Sequence, residues 1–162
     1  MDIFLDIARL IGGGFFIWSG TSKFGRIADF WTQVMGYRLT SAIQARLIAS
    51  YLPPTEFVLG MLFATGYLTL ATGVILLLLL IVFSIAIGTV LIRRIETDCG
   101  CAGSGGQKIR PILLTRNLGI AAIVILGMFT SGPLGISNVV IAISGALLIG
   151  LLGTVNYRTL GK

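Results

Sequence analysis

The chain has two cysteines, Cys99 and Cys101, and a single glycine separates them. Two cysteines at this spacing can form a disulfide only if the backbone bends sharply, because their Cα atoms must lie about 4.4 to 6.8 Å apart. Gly100 permits that bend. A ring this small would be strained, and strained disulfides are easily reduced. The pair therefore favours thiol-disulfide exchange over a purely structural bridge.

Two other interpretations of the cysteines stay open. Thiolates bind Zn²⁺, Cu(I) and iron-sulfur clusters, but a closed site needs about four ligands. The chain has no histidine, so Cys99 and Cys101 would have to share a metal with another chain or form a weak transfer site. Alternatively, they are ordinary reduced residues in a turn. The absence of histidine also excludes Ser-His-Asp catalysis and a haem that is held by histidine of this chain.

Two carboxylates are candidates for handling protons during thiol exchange. Asp98 directly precedes the first cysteine, and Glu56 falls in the first turn of a predicted span, where the helix dipole favours a negative charge. Lys23 is predicted on the same side of the membrane, so a structural pair with Glu56 is the favoured alternative. Asp6 and Arg9 are spaced to pair on one helical face.

An all-α transmembrane fold must position these residues. Hydrophobic residues make up 56% of the chain and charged residues 11%, against about 25% charged in soluble proteins. The uncharged blocks at 57–92 and 117–157 are each too long for one crossing of about 20 residues. The sequence therefore predicts one domain of five spans, at about 3–22, 54–70, 73–92, 112–130 and 136–154.

Three further features organise the predicted bundle. Residues 41–52 have helical periodicity and predict an amphipathic helix at the membrane interface, which Pro53 and Pro54 end. Residues 93–111 form a polar loop that carries the cysteines. The glycine triplet at 12–14 predicts a close helix contact or a bend. The small-residue pairs Gly60–Ala64, Ser84–Gly88 and Ala146–Gly150 allow close helix packing.

The net charge of +6 indicates a membrane orientation. With five spans, every basic residue except Arg9 falls on one side, and the positive-inside rule makes that side cytoplasmic. We therefore expect a plasma (inner) membrane protein with its N-terminus outside and its cysteine loop and C-terminus in the cytoplasm. The first segment lacks a positive leader, so we expect it to be retained. The sequence has no patch of aromatic and basic residues, so we do not expect it to bind nucleic acid.

Three sequence elements resemble the MauE/DoxX-like group of redox-associated membrane proteins. The resemblance covers roughly residues 10–130, a four-span core, and leaves the fifth span unmatched. It implies a small helical bundle with a role in thiol redox chemistry or redox-enzyme assembly; the methylamine-utilisation member is associated with maturing a disulfide-rich periplasmic dehydrogenase subunit. The elements are Ser19-Gly20-Thr21-Ser22-Lys23-Phe24, Leu52-Pro53-Pro54-Thr55-Glu56 and Asp98-Cys99-Gly100-Cys101-Ala102-Gly103.

The favoured function is a thiol-disulfide redox helper that matures or supplies electrons to a partner redox protein, with Cys99 and Cys101 as the exchanging residues. The partner would be a thioredoxin-like protein or a client redox enzyme. A single pair cannot carry electrons across about 30 Å of bilayer, so a quinone is a candidate cofactor, although no residue pattern identifies its site. The alternatives are a non-catalytic assembly subunit of a larger membrane complex and a small transporter for a soft metal or a thiol.

Overall fold

A computed structural model describes residues 2–24, 26–95 and 110–129, and all regular secondary structure in these ranges is α-helical. The predicted all-α fold is confirmed. The predicted span at 136–154 and most of the cysteine loop lie outside the described residues. The described helices are α1 (Asp2–Phe24), α2 (Ile27–Gly36), α3 (Ala42–Thr65), α4 (Thr69–Ile92) and α5 (Ile112–Met128).

Helix α3 corrects one prediction. The sequence predicted a separate helix at 41–52 that ends at Pro53 and Pro54, but α3 is continuous and contains both prolines. Proline removes a backbone hydrogen bond and usually breaks a helix. Membrane helices tolerate it where neighbouring helices support the backbone. Both prolines of α3 are buried, and α1 approaches the backbone of α3 at Pro53 through Gly20, so neighbouring structure supports the helix there.

The start of α3 agrees with the sequence. The Ser41 hydroxyl accepts a hydrogen bond from the Gln44 amide, and the Gln44 side chain accepts one from the Ser41 amide. This reciprocal capping satisfies two backbone donors that a helix start leaves unpaired. The preceding helix, α2, was not predicted; it packs Phe30 and Val34 against α3.

The turn between α3 and α4 lies earlier in the chain than predicted. Gly66 ends α3 with a φ of 81°, in the left-handed region that glycine adopts without strain. Helix α4 begins at Thr69, so the predicted boundary between two spans, at about 70–73, lies a few residues too far along the chain.

The bundle core lies between α1, α3, α4 and α5. Helix α1 packs most extensively against α3 and then against α5. Consecutive long helices run antiparallel, because residues late in one helix contact residues early in the next. The central buried side chains are Phe16, Phe63, Leu76, Leu80, Ile120 and Val124.

Three of the described helices are long and apolar enough to cross a membrane: they cover Ile3–Phe24, Ala42–Thr65 and Thr69–Ile92. Helix α5 is apolar but shorter, at 17 residues. The outer surface of α4 carries exposed aliphatic side chains such as Leu78, Ile81 and Ile85. Lipid tails are the natural neighbours of such a surface.

One end of the bundle carries most of the positive charge, and we name it the basic end. It contains the end of α1, helix α2, the start of α3, the end of α4 and the start of α5. The Arg93 guanidinium donates to the Arg38 carbonyl at 3.5 Å, which joins two of these segments. The cellular side of this end stays a prediction. Its basic residues are Lys23, Arg26, Arg38, Arg46, Arg93, Arg94, Arg110 and Arg116.

Candidate functional site

A buried polar network joins α1 to α3 within the bundle. The Lys23 ammonium donates to Glu56 Oε2 at 2.6 Å and to the Ser19 hydroxyl at 3.0 Å. The Ser19 hydroxyl in turn donates to Glu56 Oε2 at 3.1 Å. Ser19 and Lys23 are four residues apart, so they project from the same face of α1. The predicted Lys23–Glu56 pair is confirmed.

The network is removed from solvent. Glu56 is 0% exposed and Lys23 is 3% exposed. Glu56 Oε1 has no hydrogen-bond partner among the residues that the structure describes. A charge pair buried to this degree is strongly destabilised if either partner is removed, because the other charge is then left alone in a medium of low dielectric.

Glycines bring α1 and α3 close enough to form the network. A Cβ atom on Gly20 would lie 2.7 Å from the Pro53 carbonyl oxygen, and one on Gly13 would lie 2.6 Å from the Gly60 carbonyl oxygen. Real Cβ atoms do not approach that closely, so only glycine fits. The predicted close contact at 12–14 is thus confirmed at Gly13, where Ala64 also packs.

A cavity of about 290 Å³ opens beside the network. Lys23 contributes to its wall, and the ammonium lies 5.2 Å from the centre of the Phe30 ring and 5.8 Å from that of Phe83. Ammonium groups bind favourably over aromatic faces at such distances. Lys23 therefore connects the buried ion pair to an apolar chamber.

A second polar group on this cavity wall was not predicted from the sequence. Asn117 is 3% exposed, and its amide nitrogen donates to the Ser84 hydroxyl at 3.2 Å. Its amide oxygen accepts from the Arg116 guanidinium at 3.4 Å, which lies 5.8 Å from the Phe15 ring centre. An Arg-Asn pair at the start of an otherwise apolar helix was a signal, because polar residues in spans usually face the bundle interior.

Of the other predicted residues, the structure describes Asp6 and Arg9. Asp6 and Arg9 form the predicted ion pair, at 3.0 Å, and Arg9 is only 1% exposed. Cys99, Cys101 and Asp98 lie outside the described residues. The described segments next to them end at Ile95 and resume at Arg110, both at the basic end.

In residues 2–24, 26–95 and 110–129, no group of three or more potential metal ligands comes together. The cavity is a place in these ranges that could receive an organic cofactor. Ser19, Lys23 and Asn117 supply its buried polar groups.

Comparison with known proteins places this arrangement in a family. The family model described as methylamine utilisation protein MauE matches residues 1–130. This chain belongs to the MauE family. The match contains both the Ser19–Lys23–Glu56 network and the cysteine pair, and it ends one residue beyond Phe129, the last described residue. Together with the apolar helices, membership supports a multi-pass membrane protein.

A curated relative gives the same family. The chain is 28% identical over 110 residues to the methylamine utilization protein MauE of Paracoccus denitrificans. The alignment covers 67% of this chain and 59% of that MauE protein, so the chain spans less than two thirds of the relative. No solved structure matches the chain.

Proposed function

We propose that the chain is a membrane-embedded helper for thiol-disulfide exchange, which matures or supplies electrons to a partner redox protein. One observation carries this proposal: the MauE family match includes the cysteine pair together with the buried network that holds α1 against α3. The relative's name links it to methylamine utilisation, a redox setting in which a partner with disulfides is a natural client.

The exchange needs no other reactant than the partner. The thiolate of one cysteine, Cys99 or Cys101, attacks a disulfide of the partner, forms a mixed disulfide and releases one partner thiolate. The second cysteine then attacks the mixed disulfide, releases the other partner thiolate and closes the Cys99–Cys101 disulfide. Two electrons pass to the partner, and the reverse sequence would oxidise it.

Two carboxylates have different roles in this proposal. Asp98 adjoins the cysteines in sequence and can take up the proton of the attacking thiol. Glu56 is held by Lys23 and Ser19 within hydrogen-bond distance, so its contacts favour a structural role over proton transfer. The pair fixes α1 against α3 and keeps Lys23 at the cavity.

The test replaces the cysteines in the native host. The double variant Cys99→Ser and Cys101→Ser should lower the yield of mature, correctly disulfide-bonded client by at least about tenfold, because a hydroxyl cannot form the mixed disulfide. Ser104→Ala in the same loop is the matched control and should keep full yield. Full maturation by the double variant would refute thiol exchange.

A trapping experiment identifies the partner. The single variant Cys101→Ser removes the residue that would resolve a mixed disulfide on Cys99, and Cys99→Ser does the converse. One of the two variants should accumulate a mixed disulfide with its partner. This product should run as a band of higher mass on non-reducing gels and disappear when dithiothreitol is added. The double variant should show no such band.

An assembly subunit is the second candidate, favoured by one observation on α4. A Cβ atom on Gly88 would meet nothing within 4 Å in the described part of the chain, so this small residue leaves room for another helix. If the chain is such a subunit, it should co-purify in mild detergent with a stable larger complex even when both cysteines are serine.

A further inference from the structure

The wall of the cavity at the basic end has an apolar part and a polar part. Most of the wall is apolar and aromatic, with Phe15, Phe16, Phe30 and Phe83 on α1, α2 and α4. Its volume, about 290 Å³, is near the lower end of the range for small-molecule sites, about 300 to 1,000 Å³. A cavity of this size and polarity fits the ring of an apolar molecule.

The polar part of the wall consists mainly of hydrogen-bond donors. Lys23, Arg116 and Asn117 border the cavity, and so does Thr40 from the connection between α2 and α3. The Thr40 hydroxyl and the Arg116 Nε are buried and have no hydrogen-bond partner in the described ranges. Buried polar atoms are nearly always paired, so these two point to a missing acceptor.

The charges on the wall restrict what that acceptor can be. Glu56 at 2.6 Å balances the charge of Lys23, so Lys23 does not call for an anion. Aromatic rings on several sides match a flat ring better than a flexible acyl chain, because flat rings pack against aromatic faces. A ligand with an apolar ring and oxygen acceptors on its edge matches both parts of this wall.

We propose that this cavity binds a membrane quinone, with its ring among the phenylalanines and a carbonyl oxygen at Thr40 and Arg116. The cavity lies near one end of the bundle, because Arg116 is one turn into α5 and Ala86 is less than two turns before the end of α4. A quinone is soluble in lipid and would reach it near the membrane interface. The proposal goes beyond thiol exchange, because it concerns binding alone and does not depend on the cysteines.

Binding is measured on the full chain in lipid nanodiscs with decylubiquinone as the probe and laurate as the acyl-chain comparison. We expect saturable binding of about one decylubiquinone per chain and none of laurate. The variant Ala86→Phe fills the cavity and should weaken binding roughly tenfold or more, because the added ring occupies the space of the ligand. Ala71→Phe adds the same ring on the exposed face of the same helix and should leave affinity unchanged.

A second measurement uses the unaltered chain, so it does not depend on folding of the variant. A photoreactive azidoquinone should label peptides that contain 82–87 and 110–117, and decylubiquinone should suppress the labelling. No saturable binding, saturable binding of laurate alone, or labelling confined to outward residues such as Leu78 and Ile81 would each overturn the proposal.

Discussion

At the scale of single residues, breaking the Lys23–Glu56 pair should destabilise the protein most. Lys23→Met would leave Glu56 buried with only Ser19 as a partner. We expect the free energy of unfolding to fall by about 3 to 5 kcal/mol, as for other broken buried pairs. The double variant Lys23→Met and Glu56→Leu removes both charges and should recover most of that loss. Unfolding in mixed micelles, followed by circular dichroism, measures both.

The control for this prediction is an exposed pair of the same type. Arg26 Nε and Asp29 Oδ2 are 4.0 Å apart, and both side chains are more than half exposed. Asp29→Asn should change the free energy of unfolding by no more than about 1 kcal/mol. If Lys23→Met, Glu56→Leu were as unstable as Lys23→Met alone, the loss would not come from leaving the Glu56 charge buried and unpaired.

Some side-chain contacts of the bundle could be predicted from the sequence, and others could not. The pairs Asp6–Arg9 and Lys23–Glu56 followed from helical spacing and predicted sidedness, and both are present. The third member of the network, Ser19, did not follow, because a serine in a span gives no sign of its partner. The Thr40 contribution to the cavity depends on how the connection between α2 and α3 lies against the bundle, which no local pattern encodes.

At the scale of helices, the contact between α1 and α3 depends on particular glycines. Gly13→Ala would place a Cβ atom 2.6 Å from the Gly60 carbonyl oxygen, and backbone at that distance cannot move aside cheaply. We expect a loss of about 1 to 3 kcal/mol in the free energy of unfolding. The measurement is again unfolding in mixed micelles.

The neighbouring glycine supplies the control. A Cβ atom on Gly14 meets nothing within 4 Å among the described residues. Gly14→Ala should therefore be neutral or stabilise by up to about 1 kcal/mol, because alanine favours the helix. Equal effects of the two substitutions would mean that α1 does not approach α3 through Gly13.

Helix boundaries were the least predictable part of the fold. The uncharged block 57–92 was correctly divided between two helices, because a single helix would exceed the bilayer. The second predicted span, which corresponds to α3, was predicted to start at Pro54, because proline normally ends a helix. Tertiary packing of Pro53 and Pro54 overrode that rule and extended α3 to Ala42. Packing between distant segments cannot be predicted from the local sequence around the prolines.

At the scale of the whole molecule, the antiparallel helices gather basic residues at one end. The turn between α3 and α4, at the opposite end, has no charged residue. Because basic residues are retained on the cytoplasmic side, the basic end should face the cytoplasm. In this arrangement the segments that flank the cysteine loop are cytoplasmic too.

Single cysteines in a Cys99→Ser, Cys101→Ser background test this orientation. Arg94→Cys marks the basic end, and Tyr67→Cys marks the exposed turn at the other end. A membrane-impermeant maleimide on intact cells should label Tyr67→Cys at once and Arg94→Cys only after permeabilisation. The reverse pattern would place the basic end outside, and the cysteine pair would then work in an oxidising compartment, where a disulfide persists. The observed side thus also decides whether the resting pair is expected as thiols, ready to reduce a partner, or as a disulfide, ready to oxidise one.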